Sequence, residues 1–99
     1  RKFYREHHQT AVELAEKYIP CKRILGEGGL HIFIELEKIN AREVLAECYK
    51  RGVLFMPGDI FYVDDGGANT FRLGISRVDP AQMERGFKII GEVVQSLMK

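Results

Sequence analysis

The chain contains one stretch, LHIFIELE from Leu30 to Glu37, that decides its fold class. Every second residue of this stretch is aliphatic, namely Leu30, Ile32, Ile34 and Leu36. Because successive side chains of a β-strand point to opposite faces of a sheet, this alternation predicts a strand with one buried face. A buried face needs a covering layer, which the rest of the chain has to supply.

Three further strands are predicted on either side of this stretch. The clearest runs from Thr70 to Ile75, with Phe71, Leu73 and Ile75 on the face that would be buried and Thr70, Arg72 and Gly74 on the other. Two shorter strands are expected, one from Lys22 to Leu25 and a buried one from Val53 to Met56 that ends at Pro57-Gly58.

Two amphipathic helices are predicted before and between these strands. The first runs from Arg1 to Ile19 and ends there because Pro20 cannot continue it. The second runs from Ala41 to Arg51. It has Asn40 as its N-cap and Gly52 where a left-handed residue ends a helix.

A third helix is predicted to follow Asp79-Pro80-Ala81-Gln82, in which an N-cap, an N1 proline and an N3 glutamine succeed one another. The order helix, strand, strand, helix, strand, strand, helix predicts an α+β domain. We expect a small, mostly antiparallel sheet with its helices packed on one face. With 99 residues, one domain from residue 1 to residue 99 accounts for the chain.

The composition is that of a folded chain, with 45% hydrophobic and 29% charged residues. The 15 Lys and Arg and 14 Asp and Glu are interspersed, which gives no nucleic-acid or membrane-surface footprint. Apolar runs reach four residues at most, far from the ~20 that span a bilayer. The chain opens at Arg1 without a signal or transit peptide, so we expect a fragment of a longer cytoplasmic protein.

Most motifs that suggest chemistry fail on their spacing. Gly26-Glu27-Gly28-Gly29 lacks the third glycine of a dinucleotide-binding turn and is predicted to be a turn between strands. The segment from Asp64 to Asn69 lacks the alternating ligands of a calcium loop. No metal site is expected. The histidines, His7, His8 and His31, are expected at surface or partly packed positions. The cysteines, Cys21 and Cys48, are expected to be reduced thiols, with one disulfide between them as the alternative.

Arg72 is the candidate binding residue. It lies in the middle of a predicted strand, on the face that cannot turn toward the helices, and Gly74 leaves space beside it. A guanidinium in such a place is a natural receptor for a carboxylate, which it binds through two parallel hydrogen bonds. From the spacing alone, an ordinary ion pair with a surface acid is the alternative.

Three segments resemble the end of class I/II aminotransferases of the fold-type I pyridoxal-phosphate superfamily. They are Gly52 to Tyr62 (GVLFMPGDIFY), Asn69 to Leu73 (NTFRL) and Gly86 to Val93. In that family a segment of the form R-G-V-x-x-x-P-G-x-x-F leads through a variable loop to N-x-x-R-L. Gly29 to Leu36 is similar to a strand of the family's small domain, and Arg1 to Pro20 to the helix that returns from its large domain.

The resemblance implies that Arg72 binds the α-carboxylate of an amino acid or a related ligand. It also implies pyridoxal phosphate as the cofactor of the whole protein, a homodimer in the parent, and a large domain outside these 99 residues. That domain would hold the cofactor and the lysine that binds it covalently. This chain would then be a carboxylate-recognition lobe with no catalytic or cofactor-binding residue of its own.

Two kinds of parent protein fit this resemblance. Gly29-Leu30-His31 resembles MocR-type transcriptional regulators of the GntR superfamily, in which an upstream winged helix-turn-helix domain binds DNA. We therefore expect such a regulator. The alternative is a true amino-acid aminotransferase, similar to the 2-aminoadipate and aromatic-substrate group. A small interaction domain without catalytic ancestry is a third interpretation.

Overall fold

A computed structural model describes residues 2–25, 31–61, 66–76 and 78–98 of the chain. It confirms the α+β fold. The elements, in chain order, are α1 (Lys2–Tyr18), β1 (Arg23–Leu25), β2 (His31–Glu35), α2 (Ala41–Lys50), β3 (Met56–Pro57), a 3-10 turn (Gly58–Phe61), β4 (Thr70–Gly74) and α3 (Pro80–Leu97).

The strands form an antiparallel sheet in the order β1-β2-β4-β3. The two strands with the clearest alternation are the central pair, and Ile34 of β2 lies opposite Phe71 of β4. On the other side of β2, Ile24 of β1 lies opposite Ile34. The strand prediction for Leu30 and the turn prediction for Gly26 to Gly29 fall outside the described residues.

The core lies between one face of this sheet and the three helices. Its members are buried aliphatic and aromatic side chains that alternate along β2 and β4 and repeat at helical spacing along the helices. The largest fully buried ones include Phe71, Ile32, Ile34, Leu36 and Ile90. The predicted one-sided packing of the helices follows from this alternation, because only one face of the sheet is apolar throughout.

The helix ends agree closely with the local sequence signals. The Asp79 side chain accepts a hydrogen bond from the Gln82 backbone N–H, and the Gln82 side chain accepts one from the Asp79 N–H, which completes a capping box. At the start of α2, Asn40 Oδ1 accepts from the Arg42 N–H at 2.8 Å. Gly52 has a φ of 84° after the end of that helix, as predicted for a left-handed residue.

At Gly91, helix α3 lies directly against the C-terminal end of α1. A Cβ at this position would collide with the backbone carbonyl of Tyr18, whereas a Cβ at Gly86 on the same helix would contact nothing. The absence of a side chain at Gly91 therefore lets the C-terminal end of α1 dock onto the middle of α3.

Three local predictions were wrong. The segment from Val53 to Met56 is not a buried strand: pairing begins at Met56 and includes Pro57, and Leu54 is 69% exposed. The apolar run has the composition of a core strand, but β3 is an edge strand, where a proline needs no partner for its missing N–H. Leu54 and Met56 therefore lie on the surface.

Thr70 and His8 are buried, against expectation. The alternation along β4 assigns Thr70 to the same face as Arg72, away from the helices. The backbone of Gly58 nevertheless lies against the Thr70 hydroxyl. That hydroxyl donates to the Gly67 carbonyl at 2.7 Å. His8 belongs to the inward stripe of α1, at three- and seven-residue spacing before Ala11 and Ala15, so it is covered by the packing of that stripe.

Among the residues that the structure describes, no helix is long and apolar enough to cross a membrane.

Both cysteines are free thiols. Burial raises the pKa of Cys48 to about 11. The pKa of Cys21 is raised by burial and by the nearby carboxylates of Glu16 and Glu37.

Candidate functional site

Arg72 lies at the centre of the sheet, on the face away from the helices. Its neighbours along the chain, Phe71 and Leu73, are buried in the core, whereas Arg72 itself is half-buried. In the register of the sheet it stands opposite Phe33 of β2 on one side and Met56 of β3 on the other. The strand pattern therefore places this guanidinium on the open face, as expected from the sequence.

An open depression of about 360 Å³ surrounds this residue. Its size is at the lower end of the range of small-molecule sites in proteins. The residues that line it come from β2, β4, β3 and the segment leading into β3, and they are His31, Leu54, Phe55, Met56, Arg72 and Gly74. The depression thus combines a single forked cation with apolar side chains.

Gly74 forms an uncovered part of this depression. A Cβ built on Gly74 would have only one neighbour, His31 Cδ2, at 3.8 Å. His31 of β2 pairs with Gly74 of β4, and the next pair along the two strands contains Leu73. The sheet surface beside Arg72 is therefore bare backbone bordered by an imidazole ring.

The wall formed by residues 54–56 is attached to the body of the protein at two points. The ring of Phe55 packs on that of Phe71, with centroids 4.3 Å apart. After β3, Asp59 is held by Arg42 of α2 through two parallel hydrogen bonds of 2.7 and 2.8 Å. The hydrogen bond from Arg42 holds the pKa of Asp59 below its ordinary value. Both contacts fix the position of the segment beside Arg72.

An acidic residue shares the open face of β2 with Phe33. Glu35 is bound by Arg23 of β1 at 2.6 Å, and Lys22 lies 3.9 Å from the same carboxylate. These two cations engage this acid at the β1 edge of the sheet. The negative charge of Glu35 is thus compensated at the β1 edge, away from the β3 edge where the depression lies.

Three of the described lysines contact side chains that do not line the Arg72 depression. No lysine is among the residues that line the Arg72 depression. Lys17 lies over the Tyr18 ring, Lys22 approaches Glu35, and Lys50 is paired with Glu47. The described lining of this depression thus contains a guanidinium and no lysine amine.

The other candidates from the sequence lead to no site. His7 Nε2 hydrogen-bonds the carbonyl of Ile75 and so ties α1 to the end of β4. His31 is exposed and lines the depression. Within the described ranges, no group of three His, Cys, Asp or Glu side chains is placed to hold a metal ion. Asp64 and Asp65 lie outside those ranges.

Comparisons with known proteins find aminotransferases. The chain is 31% identical over 98 residues to an uncharacterized aminotransferase of Saccharolobus solfataricus, covering 96% of this chain and 24% of that protein. It is 27% identical over 101 residues to the 2-aminoadipate transaminase of Thermus thermophilus, covering 99% of this chain and 25% of the relative. The chain thus spans about a quarter of the length of these curated relatives. No protein-family model matches it.

Solved structures give the same result. Kynurenine aminotransferase from Pyrococcus horikoshii matches with a TM-score of 0.86 at 30% identity, over 100% of this chain and 25% of that one. The α-aminoadipate aminotransferase LysN from Thermus thermophilus, solved with N-(5'-phosphopyridoxyl)-L-leucine, matches with a TM-score of 0.84 at 26% identity, over 99% of this chain and 26% of that one. The three-helix, four-stranded fold is that of an aminotransferase small domain.

These findings favour the aminotransferase alternative over the expected regulator. The relatives and structural neighbours named above are aminotransferases, and none is a transcriptional regulator. The sequence signal for a regulator was Gly29-Leu30-His31, and its first two residues lie outside the described part of the chain. The described residue, His31, lines the Arg72 depression.

Proposed function

We propose that this chain is the carboxylate-recognition lobe of a longer pyridoxal-phosphate-dependent amino-acid aminotransferase, and that Arg72 binds the α-carboxylate of the substrate. The observation that carries the proposal is the place of Arg72, which lies mid-sheet on the open face and lines a depression of ligand size. The similarity to 2-aminoadipate and kynurenine aminotransferases supports the reaction class.

The lobe contributes binding and orientation. A planar guanidinium held on a central strand presents two parallel N–H donors, which match the two oxygens of a carboxylate. Fixing that carboxylate fixes the direction in which the amino group points, which lowers the entropic part of the barrier. Pyridoxal phosphate, when bound, supplies the electron sink for the transfer of the amino group, and the remaining three quarters of the polypeptide would hold it.

The proposal is tested in the full-length, cofactor-loaded protein with Arg72→Ala and Arg72→Lys. Each charge-assisted hydrogen bond lost contributes about 1.5–3 kcal/mol, so kcat/KM for amino acids falls at least about 10-fold in Arg72→Ala. Arg72→Lys restores little of it, because an ammonium lacks the planar fork. Cofactor absorbance stays at the wild-type level in both variants.

Arg51→Ala is the matched control. Arg51 is an exposed arginine that pairs with Glu92 at 2.8 Å, on the helical side of the molecule. If the loss of activity in Arg72→Ala is specific to the open face, Arg51→Ala leaves kcat/KM unchanged. Wild-type kcat/KM in a folded, cofactor-loaded Arg72→Ala protein would refute the assigned role. A full-length protein that catalyses no transamination but binds DNA in a ligand-dependent way would instead support the transcriptional-regulator interpretation.

A further inference from the structure

The residue opposite Arg72 on the β2 side of the sheet is an aromatic one, Phe33. We infer that Phe33 is a positioning residue: its ring supports the guanidinium of Arg72 and thereby aims the two N–H donors at the carboxylate. The inference rests on the proposed function, because Phe33 acts on the substrate only through Arg72. It assigns a second residue of this chain to carboxylate recognition.

The hydrogen-bonding pattern of the sheet brings these two side chains close together. In an antiparallel pair of strands, hydrogen-bonded residue pairs alternate with non-hydrogen-bonded pairs, in which the side chains approach more closely. The Leu36 N–H donates to the Asn69 carbonyl at 2.7 Å, so theirs is a hydrogen-bonded pair. Phe33 and Arg72 lie three pairs further along the unbroken register and form a non-hydrogen-bonded pair, with Cβ atoms about 4.5–5.5 Å apart.

The β1 edge of the sheet agrees with this alternation. The Glu35 carbonyl accepts a hydrogen bond from the Lys22 N–H at 2.7 Å, so it faces β1 and not β4. Phe33 is two residues earlier in β2, and its backbone groups therefore point the same way as those of Glu35. Phe33 and Arg72 thus occupy the closer of the two pair spacings.

On its other side, Arg72 is farther from its neighbour. Its backbone groups are directed toward β3, where it pairs with Met56 at the wider, hydrogen-bonded spacing. The next pair, Pro57 with Phe71, fits the same pattern, because a proline without an N–H is accommodated at a non-hydrogen-bonded position. Of the two residues opposite Arg72, Phe33 is therefore the one at the closer spacing.

An aromatic ring at this distance suits a guanidinium. The face of a phenyl ring attracts a cation, and a planar guanidinium stacks on such a face while its N–H edge stays available. Phe33 and Arg72 are both half-buried, which partly removes the pair from water and strengthens the attraction. Because an arginine side chain has many rotamers, a fixed support also lowers the entropy lost when a carboxylate orders it.

The test changes the ring in the full-length, cofactor-loaded protein, with Phe33→Leu and Phe33→Tyr. Calorimetric titration measures the carboxylate preference, which is the affinity for 4-methylpentanoate divided by that for its uncharged amide. Neither probe has a ring of its own. We expect the preference to fall about 3-fold in Phe33→Leu, which lacks an aromatic face, and to stay at the wild-type level in Phe33→Tyr. Phe87→Leu, the same change in the buried helical layer, controls for a general loss of stability and keeps the wild-type preference.

A double variant shows whether the ring acts through Arg72. In an Arg72→Ala background, Phe33→Leu lowers the preference no further, because the guanidinium that the ring supports is gone. The inference would be overturned by an unchanged preference in Phe33→Leu, or by an equal fall in Phe33→Tyr or Phe87→Leu. If Arg72→Ala itself keeps the wild-type preference, the proposed function fails. If Arg72→Ala abolishes the preference and Phe33→Leu leaves it unchanged, only the role of Phe33 fails.

Discussion

The two faces of the sheet have opposite characters, although they share the same strands. Toward the helices, Ile34, Phe71 and Leu73 are buried in a continuous apolar layer. On the other face, Arg72 and Gly74 border an open depression. The helix-covered face determines the fold, because its side chains have to fill a closed volume. The open face is free of that demand and can carry residues chosen for a ligand.

The largest contrast is expected between two adjacent residues of β4, Phe71 and Arg72. Phe71 is 0% exposed, so Phe71→Ala leaves a cavity and lowers the free energy of unfolding by about 3–5 kcal/mol. Arg72→Ala changes it by about 1 kcal/mol or less, because the half-buried Arg72 side chain lies on the open face and its removal empties no closed cavity. Amide hydrogen exchange of β2 in the full-length protein measures both values. Equal losses from the two variants would abolish the distinction between the faces.

The two glycines of α3 test the covering layer in the same way. Gly91→Ala places a methyl group against the Tyr18 carbonyl, and overpacking of this kind destabilises by about 1–3 kcal/mol. Gly86→Ala meets nothing within 4 Å and stabilises the helix by about 0.4–1 kcal/mol, because the unfolded chain loses freedom. Thermal unfolding of both variants should shift in opposite directions. Shifts of the same sign would mean that α1 and α3 are not in close contact at Gly91.

The smallest effect on the free energy of unfolding is expected at the exposed ion pair between Arg42 of α2 and Asp59 of the 3-10 turn. The Arg42 hydrogen bond lowers the pKa of Asp59 below its ordinary value of 3.8. A carboxyl whose pKa is lower in the folded than in the unfolded state stabilises the fold above the unfolded pKa, and this contribution is lost as the pH falls through the folded pKa.

Asp59→Asn should therefore lower the urea midpoint slightly at about pH 7, and the difference should disappear at about pH 2. Glu47→Gln, which removes an exposed ion pair with Lys50, is the control. A difference between Asp59→Asn and wild type that grows toward low pH would have the wrong sign for this link.

The sequence predicted the covered face better than the open one. The alternation in β2 and β4 and the capping residue Asp79 act through local geometry, and the structure agrees with them. The predictions failed where tertiary contacts override local pattern. Pro57 pairs at a sheet edge, and Thr70 is covered by Gly58, which is twelve residues earlier in the chain.

The candidate site shows the same limit. The periodicity of β4 was enough to place Arg72 on the open face, and the resemblance to aminotransferases gave it a role. The depression itself could not be predicted, because it depends on how the segment of Leu54 and Met56 stands beside β4. Exposed leucine and methionine in an apolar run carry no local signal that separates a binding wall from a core strand.

The central claim, that Arg72 recognises a carboxylate, is tested most directly by binding without turnover. The measurement compares the affinities of 3-phenylpropanoate and of its uncharged amide for the full-length, cofactor-loaded protein and for Arg72→Ala. We expect the wild-type protein to bind the carboxylate at least about 10-fold more tightly than the amide, and the variant to bind both equally. A variant that still prefers the carboxylate by the wild-type factor would contradict the account.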